Sequence, residues 1–267
     1  MSAVLYVAAR APRPGFAKTR LGKAIGHEQA NMLYAAFVRD LAARLADAPF
    51  PVGWYVTPED AWGDLAGLVY PLGEAALSLA SGTRPSGGAS SGSQDGVRAS
   101  VAIGQPGPLV GPILVQGPGD WAARQQALFA GAPGRGEQRT ILIASDSPQL
   151  TLDPILEAFA LLADRDLVLG PVDDGGYYLI GMRGPWDVLG GVRMSTGTVL
   201  DEIVARAERL GLSVAFVAPT FDVDEAEDLA RLAALALDRD DLPATKSALE
   251  RLGLLRDSRD DMPVLSA

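Results

Sequence analysis

Short apolar runs of strand length alternate with stretches whose apolar residues recur every three or four positions, from residue 4 to about residue 237. Strands separated by helices pair in parallel and need helical cover on both faces, so this alternation narrows the fold more than any other feature. Residues 4–9 (VLYVAA) read as a first strand, and the Pro- and Gly-punctuated segment 10–22 (RAPRPGFAKTRLG) as the loop it opens into. Between residues 28 and 45, Met32, Leu33, Ala36, Phe37, Leu41 and Leu45 form one helical stripe. Further strands are expected at 52–57, 113–116, 140–145, 167–171, 177–182 and 213–218, with helices at 58–65, about 120–130, 196–210 and 225–237. Thr151 is the expected cap of one more helix, with Pro154 in its first turn. The turn Asp173-Asp174-Gly175-Gly176 joins neighbouring strands and predicts one antiparallel pair.

The expectation is an α/β protein: a single three-layer α/β/α domain with a mostly parallel mixed sheet over residues 1–237, and a helical tail that frays over 238–267. Residues 80–111 interrupt it with Gly, Ser, Pro and Gln, too few apolar side chains to offset ordering entropy, and read as a flexible surface insertion. The whole chain is 48% hydrophobic over its 267 residues, ample for a core. A net charge of −10 disfavours a nucleic-acid partner. The absence of cysteine excludes disulfides, thiolate metal sites and a cysteine nucleophile. The apolar start is too short for a membrane span and runs straight into the first strand, so the expected location is the cytoplasm. The oligomeric state stays open.

In an open α/β sheet, ligands lie beyond the carboxyl ends of the strands, and four such segments carry candidate chemistry. After the first strand, Arg10, Arg13, Lys18, Arg20 and Lys23 form a basic run without an acidic residue, suited to phosphate unless it is only a solvated loop. Asp146, in Ser145-Asp146-Ser147-Pro148, follows the most strand-like run and can hold a divalent cation or a ribose hydroxyl, or simply serve a turn. In the DDGGYY turn, Gly175 and Gly176 permit close approach of a ligand beside Asp174, which also suits an ordinary hairpin. Asp222 and Asp224 alternate along an extended segment and so can face one cation, while Asp224 also stands where a helix cap would. The lone His27 precedes a helix and is expected at the surface, and neither a P-loop nor a dinucleotide fingerprint is present.

The segments PRPGFAKTRL, GDWAAR, SDSPQL, GPVDDGGYYLIG, STGTVL and FDVDEAEDL resemble, in this order, the motifs of the bacterial family DUF2064, also called radical-SAM/selenodomain-associated transferase 1. That family is similar to the 2-phospholactate guanylyltransferases, whose KSRL, DLP and DVDTPEDL parallel KTRL, SDSP and DVDEAEDL here. The resemblance covers roughly residues 3–235 apart from the insertion. It implies a GT-A-like fold of the nucleotide-diphospho-sugar transferase type and Mg2+ or Mn2+ bound by carboxylates. It further implies phosphate on Lys18 and Arg20, metal on Asp146, Asp222 and Asp224, and an acceptor side lined by Gly175, Gly176 and Tyr177. The chain departs from the family where it has Trp121 in GDWAAR, Met194 before Ser195-Thr196, and Glu225, which bears on acceptor choice more than on metal.

The leading expectation is a metal-dependent nucleotidyltransferase moving a nucleotidyl group from a nucleoside triphosphate to a small phosphorylated acceptor, with Lys18, Asp146 and Asp174 as catalytic candidates. The alternatives are glycosyl transfer from a nucleotide-sugar, with Asp174 orienting an acceptor hydroxyl, and nucleotide binding without catalysis.

Overall fold

The computed structural model describes residues 2–70 and 110–255; the expected insertion lies largely outside them, as do the last twelve residues of the tail. The strands are β1 (Ala3–Arg10), β2 (Val52–Thr57), β3 (Val110–Val115), β4 (Arg139–Ala144), β5 (Leu167–Pro171), β6 (Tyr177–Met182) and β7 (Val214–Phe216). They form one seven-stranded sheet in the order β3-β2-β1-β4-β6-β5-β7. β6 pairs antiparallel with both β4 and β5, while the other four pairings are parallel. The tight turn from Asp173 to Gly176 reverses the chain between β5 and β6, so the six remaining strands all end at one edge. That edge is where a ligand cleft can form.

The helices are α1 (Thr19–Ile25), α2 (His27–Leu45), α3 (Ala61–Val69), α4 (Trp121–Gly131), α5 (Asp153–Leu161), α6 (Val199–Arg209), α7 (Ala226–Leu237) and α8 (Pro243–Arg251). Alternate strand residues face opposite ways, and the core divides accordingly. Leu5, Val7, Trp54, Val56, Ile141 and Ile143 pack with α2, α3 and α5 on one face. Tyr6, Tyr55, Leu142, Leu169 and Ile180 pack with α4 and α6 on the other. The three-layer mixed α/β architecture is as expected.

A third apolar cluster lies outside the sheet. Leu21 of α1, Leu33 and Phe37 of α2, Val223, Leu232 of α7 and Leu249 of α8 are buried together. Helix α1 corrects the expectation of a loop through residue 22: the prolines and Gly15 confine irregular backbone to the first part of the segment, and Leu21 and Ile25, four apart, supply a stripe to bury. Gly26, at φ 97, ends that helix and lets α2 begin immediately. His27 opens α2 exposed. Thr151 does not cap α5; Leu152 holds that position without a side-chain hydrogen bond, and Pro154 lies in the first turn. Helix α8 docks on α2 through the buried Asp40, whose carboxylate accepts the backbone N–H groups of Ala244 and Thr245 at 2.9 and 2.7 Å.

Candidate active site

A cleft of about 500 Å³ opens at the carboxyl ends of the strands. Arg10, Lys18, Arg20, Asp146, Asp222 and Asp224 line one side, and Trp121, Asp174, Gly176, Tyr177 and Met194 line another. β1 and β4 are neighbours in register, so Arg10 and Asp146, each just past its strand's last core residues, come close by topology alone. The Tyr34 hydroxyl bridges the two strand ends: it accepts the Arg10 backbone N–H at 2.9 Å and lies 2.9 Å from the Ser145 hydroxyl. Burial pushes the Tyr34 phenol up to about 12, and nearby Asp146 adds to the shift, so the hydroxyl stays protonated.

Asp222 and Asp224 arrive by a longer route. Beyond β7 the chain follows β5, with Val217 N–H donating to Leu169 C=O at 3.0 Å and Thr220 N–H to Pro171 C=O at 3.1 Å. It then passes the end of β6 to reach β4, where Val223 N–H donates to Asp146 C=O at 3.1 Å. Side chains complete the join: Ser147 Oγ donates to Asp222 Oδ1 at 2.7 Å, and Gln149 Nε2 to Phe221 C=O at 2.6 Å and Thr220 Oγ1 at 3.1 Å. The far side of the 146–150 loop is clasped by two arginines. Arg44 Nη1 donates to Pro148 C=O and Leu150 C=O, and Arg239 Nη1 to Gln149 C=O, while Asp241 pairs with both guanidinium groups.

Lys18 sits at the centre. Its side chain is 2% exposed, and its ammonium lies 2.9 Å from Asp224 Oδ1 and 3.2 Å from Asp146 Oδ1. Arg20 Nη1 approaches Asp224 Oδ2 at 3.6 Å from the solvent side. Asp222 is left with less positive charge: burial, and then the neighbouring Asp146, push its carboxyl up to about 7. Asp224 moves the other way, because the attraction of Lys18 and the arginines outweighs its burial. It does not cap α7. Glu225 stands at the N-cap, and Asp228 accepts the backbone N–H groups of Asp224 and Glu225 at 2.9 and 2.8 Å, freeing the Asp224 side chain for Lys18.

The other candidates divide. Arg13 turns away from the cleft to pair with Asp60 at 2.9 Å and Asp64 at 2.6 Å. Asp174 accepts the Gly176 backbone N–H at 2.9 Å, an Asx turn that leaves its second oxygen uncommitted. Gly175, at φ 84, lies so close to the 193–198 loop that an added Cβ would stand 2.1 Å from Gly197 C=O. Tyr177 donates to the buried Gln125 Oε1 at 2.9 Å, and burial pushes its phenol well above the ordinary range. Tyr34, Ser147, Gln149 and Arg44 were not legible as site residues; only the polar head of Tyr34 within an apolar helical stripe gives a sequence signal.

A metal was expected on Asp146, Asp222 and Asp224. The donor chemistry fits a hard divalent cation, and the raised Asp222 carboxyl marks a place short of positive charge. Yet among the described residues no three His, Cys, Asp or Glu side chains are grouped to hold a metal ion. Instead, the Lys18 ammonium stands between two of the three carboxylates.

With this geometry in hand, the chain can be compared with known proteins. The family model of an uncharacterized protein conserved in bacteria, DUF2064, matches residues 95–196, which include GDWAAR, SDSPQL and the DDGGYY turn. The match bears out the resemblance over those residues, less than half of the chain; PRPGFAKTRL and FDVDEAEDL lie outside it. The crystal structure of a candidate nucleotide-diphospho-sugar transferase from Desulfovibrio desulfuricans G20 is 25% identical, with 96% of this chain and 97% of that one covered and a TM-score of 0.72, and the expected GT-A-like fold is shown with it. Rv0371c from Mycobacterium tuberculosis H37Rv is 17% identical over 86% of this chain and 97% of its own, at a TM-score of 0.42. A cytidylyltransferase from Leptospira borgpetersenii is 10% identical over 99% of both chains, at 0.46. Likenesses this remote add nothing to the assignment. No curated protein matches the chain, and no helix among the described residues is long and apolar enough to cross a membrane.

Proposed function

We propose that the protein is a transferase that moves a nucleotidyl group from a nucleoside triphosphate to a small phosphorylated acceptor, with a divalent cation held by Asp146 and Asp222 and completed by Asp224. The likeness to the Desulfovibrio protein supports the transferase class. The observation that carries the finer reading is the mixed charge of the cleft: two aspartates on one buried ammonium, with Asp222, Arg10 and Arg20 also lining it. Carboxylates alone would repel a triphosphate and arginines alone would not distinguish its phosphates, whereas the two sets together suit a metal–polyphosphate.

An oxygen of the acceptor's phosphate attacks the α-phosphorus, a new P–O bond forms, the bond to the β-phosphate breaks, and pyrophosphate leaves. The attacking oxygen is already anionic, so no general base is needed, and the chain's task is positioning and charge stabilisation. Bound Mg2+ or Mn2+ would supply Lewis-acid stabilisation of charge on the phosphates. Arg10 and Arg20 bind phosphate oxygens, Lys18 stabilises charge at the transferred phosphorus, and Tyr177 with the glycine turn lines the acceptor side.

The name of the Desulfovibrio protein favours a second reading, sugar transfer from a nucleotide-sugar, in which Asp174 orients an acceptor hydroxyl. The two separate by product. Thermal shifts with nucleoside triphosphates and nucleotide-sugars, each with and without Mg2+ or Mn2+, select the donor. Release of pyrophosphate is then expected, and release of free nucleoside diphosphate would reject nucleotidyl transfer. Lys18→Ala and Arg20→Ala should impair triphosphate use more than use of a diphosphate sugar.

A further inference from the structure

The position of Lys18 is unusual in two independent ways. Its backbone is left-handed, φ 51 and ψ 47, at a residue that is not glycine. This region is disfavoured for an L residue with a Cβ and persists where surrounding contacts hold it. Here it lies immediately before α1, and the side chain is buried with one ammonium spanning oxygens of two different loops. The buried ammonium is held by these two ion pairs.

Those pairs occupy the oxygens a metal would use. Asp224 is engaged at both oxygens, by Lys18 and Arg20, and Asp146 at Oδ1 by Lys18. Asp222 Oδ1 accepts from Ser147. A divalent cation that enters without disturbing Lys18 meets an ammonium at close range, and the like charges repel.

We infer that Lys18 is the resident cation of the aspartate cluster, and that its ammonium and a divalent ion are alternatives for Asp146 and Asp224. Displaced from the carboxylates, Lys18 regains freedom at a strained backbone position and turns its charge to the cleft mouth, where the phosphate sits. The ammonium thus keeps the carboxylates together before ligand arrives and becomes a phosphate ligand afterwards. This rests on the metal–nucleotide reading of the cleft.

The test uses Mn2+ alone, followed by electron paramagnetic resonance. Lys18→Met keeps the length of the side chain and removes its charge, and is expected to bind Mn2+ at least tenfold more tightly than the wild type. A second measurement needs no variant. The chain has three lysines, Lys18, Lys23 and Lys246. On mild acetylation read by mass spectrometry, Lys18 should react more slowly than the other two and become several-fold more reactive when Mn2+ saturates the protein. Equal or weaker Mn2+ binding by Lys18→Met, or Lys18 reactivity unchanged or lowered by Mn2+, overturns the inference; if Lys18→Met does not fold, the acetylation result alone decides. Mn2+ binding that is lost in Asp146→Asn but indifferent to Lys18→Met would leave the metal reading standing and remove only the role of Lys18. Absence of Mn2+ binding by both wild type and Lys18→Met removes both.

Discussion

Two buried polar clusters occupy opposite ends of the parallel strands, and they are built on different terms. At the amino ends, the Glu137 carboxylate is surrounded by donors: Tyr6 Oη at 2.5 Å and Arg135 Nε at 2.7 Å on one oxygen, Arg135 Nη2 at 2.9 Å and Thr140 Oγ1 at 3.1 Å on the other. One carboxylate meets one guanidinium, and the Arg135 plane also lies over the Tyr6 ring, 5.5 Å from its centroid. At the carboxyl ends, two carboxylates, Asp146 and Asp224, share one buried ammonium, an exposed arginine reaches only Asp224, Asp222 has neither, and the cluster opens to the cleft. The first cluster pairs its carboxylate fully within itself. The second is short of positive charge and of donors, which a metal and a ligand would supply, at some loss of stability in their absence.

This contrast predicts opposite mutational behaviour. The largest effect is expected at the self-satisfied end: Glu137→Leu strands Arg135, Tyr6 and Thr140 and should destabilise the fold by about 3 kcal/mol in urea titration, as removal of one partner from a buried pair does. Nucleotide-induced thermal shifts should survive in whatever fraction still folds. If instead Glu137→Leu abolished those shifts at full stability, the two ends would not be separable.

Gln149→Leu should lower stability by about 1–2 kcal/mol, since a buried carbonyl and a hydroxyl lose their donor. It should also weaken Mn2+ binding, because Gln149 ties the Asp222 segment to the Asp146 loop. A stability loss with unchanged Mn2+ affinity would show that the other contacts between the two loops suffice. Asp222→Asn keeps the acceptor for Ser147 and removes a charge whose carboxyl is already pushed up to about 7. It should therefore raise stability at pH 8, by about 1 kcal/mol, while removing any metal-dependent response. A loss of stability would mean that the cluster is as well satisfied as the one around Glu137.

The smallest effect concerns the clasp behind the site. The Arg239 hydrogen bond, with Arg44 assisting, holds Asp241 down at about 2. A depressed carboxyl contributes stability above its unfolded value, near 4, and loses it as pH falls toward about 2. Asp241→Asn should therefore lower Tm slightly at pH 6, and the difference should close on acidification. A difference independent of pH would assign the effect to packing.

Much of the layout was legible in the chain. Strand-length runs marked β2, β5 and β6 at their observed limits because those segments are short apolar runs buried on both faces. The basic loop and the aspartates after β4 and β7 were legible as candidates because ligands in an open α/β sheet lie beyond the carboxyl ends of the strands. What could not be read was partnership. Arg13 and Arg20 look alike in sequence, yet one pairs with α3 and the other faces Asp224, a difference fixed by where helices pack. Asp224 stood where a cap of α7 would, and only the backbone entering that helix gave the position to Glu225.

The sequence by itself determined the alternation of elements, the reversal at the DDGG turn and the chemical inventory at the strand ends, since these depend on periodicity, glycine backbone freedom and residue type. Tertiary structure decided that the segment after β7 crosses the end of β6 to reach β4, bringing Asp222 and Asp224 to Asp146 and Lys18. The Lys18–Asp224 contact joins residues 206 positions apart, and its existence depends on the packing of the whole sheet.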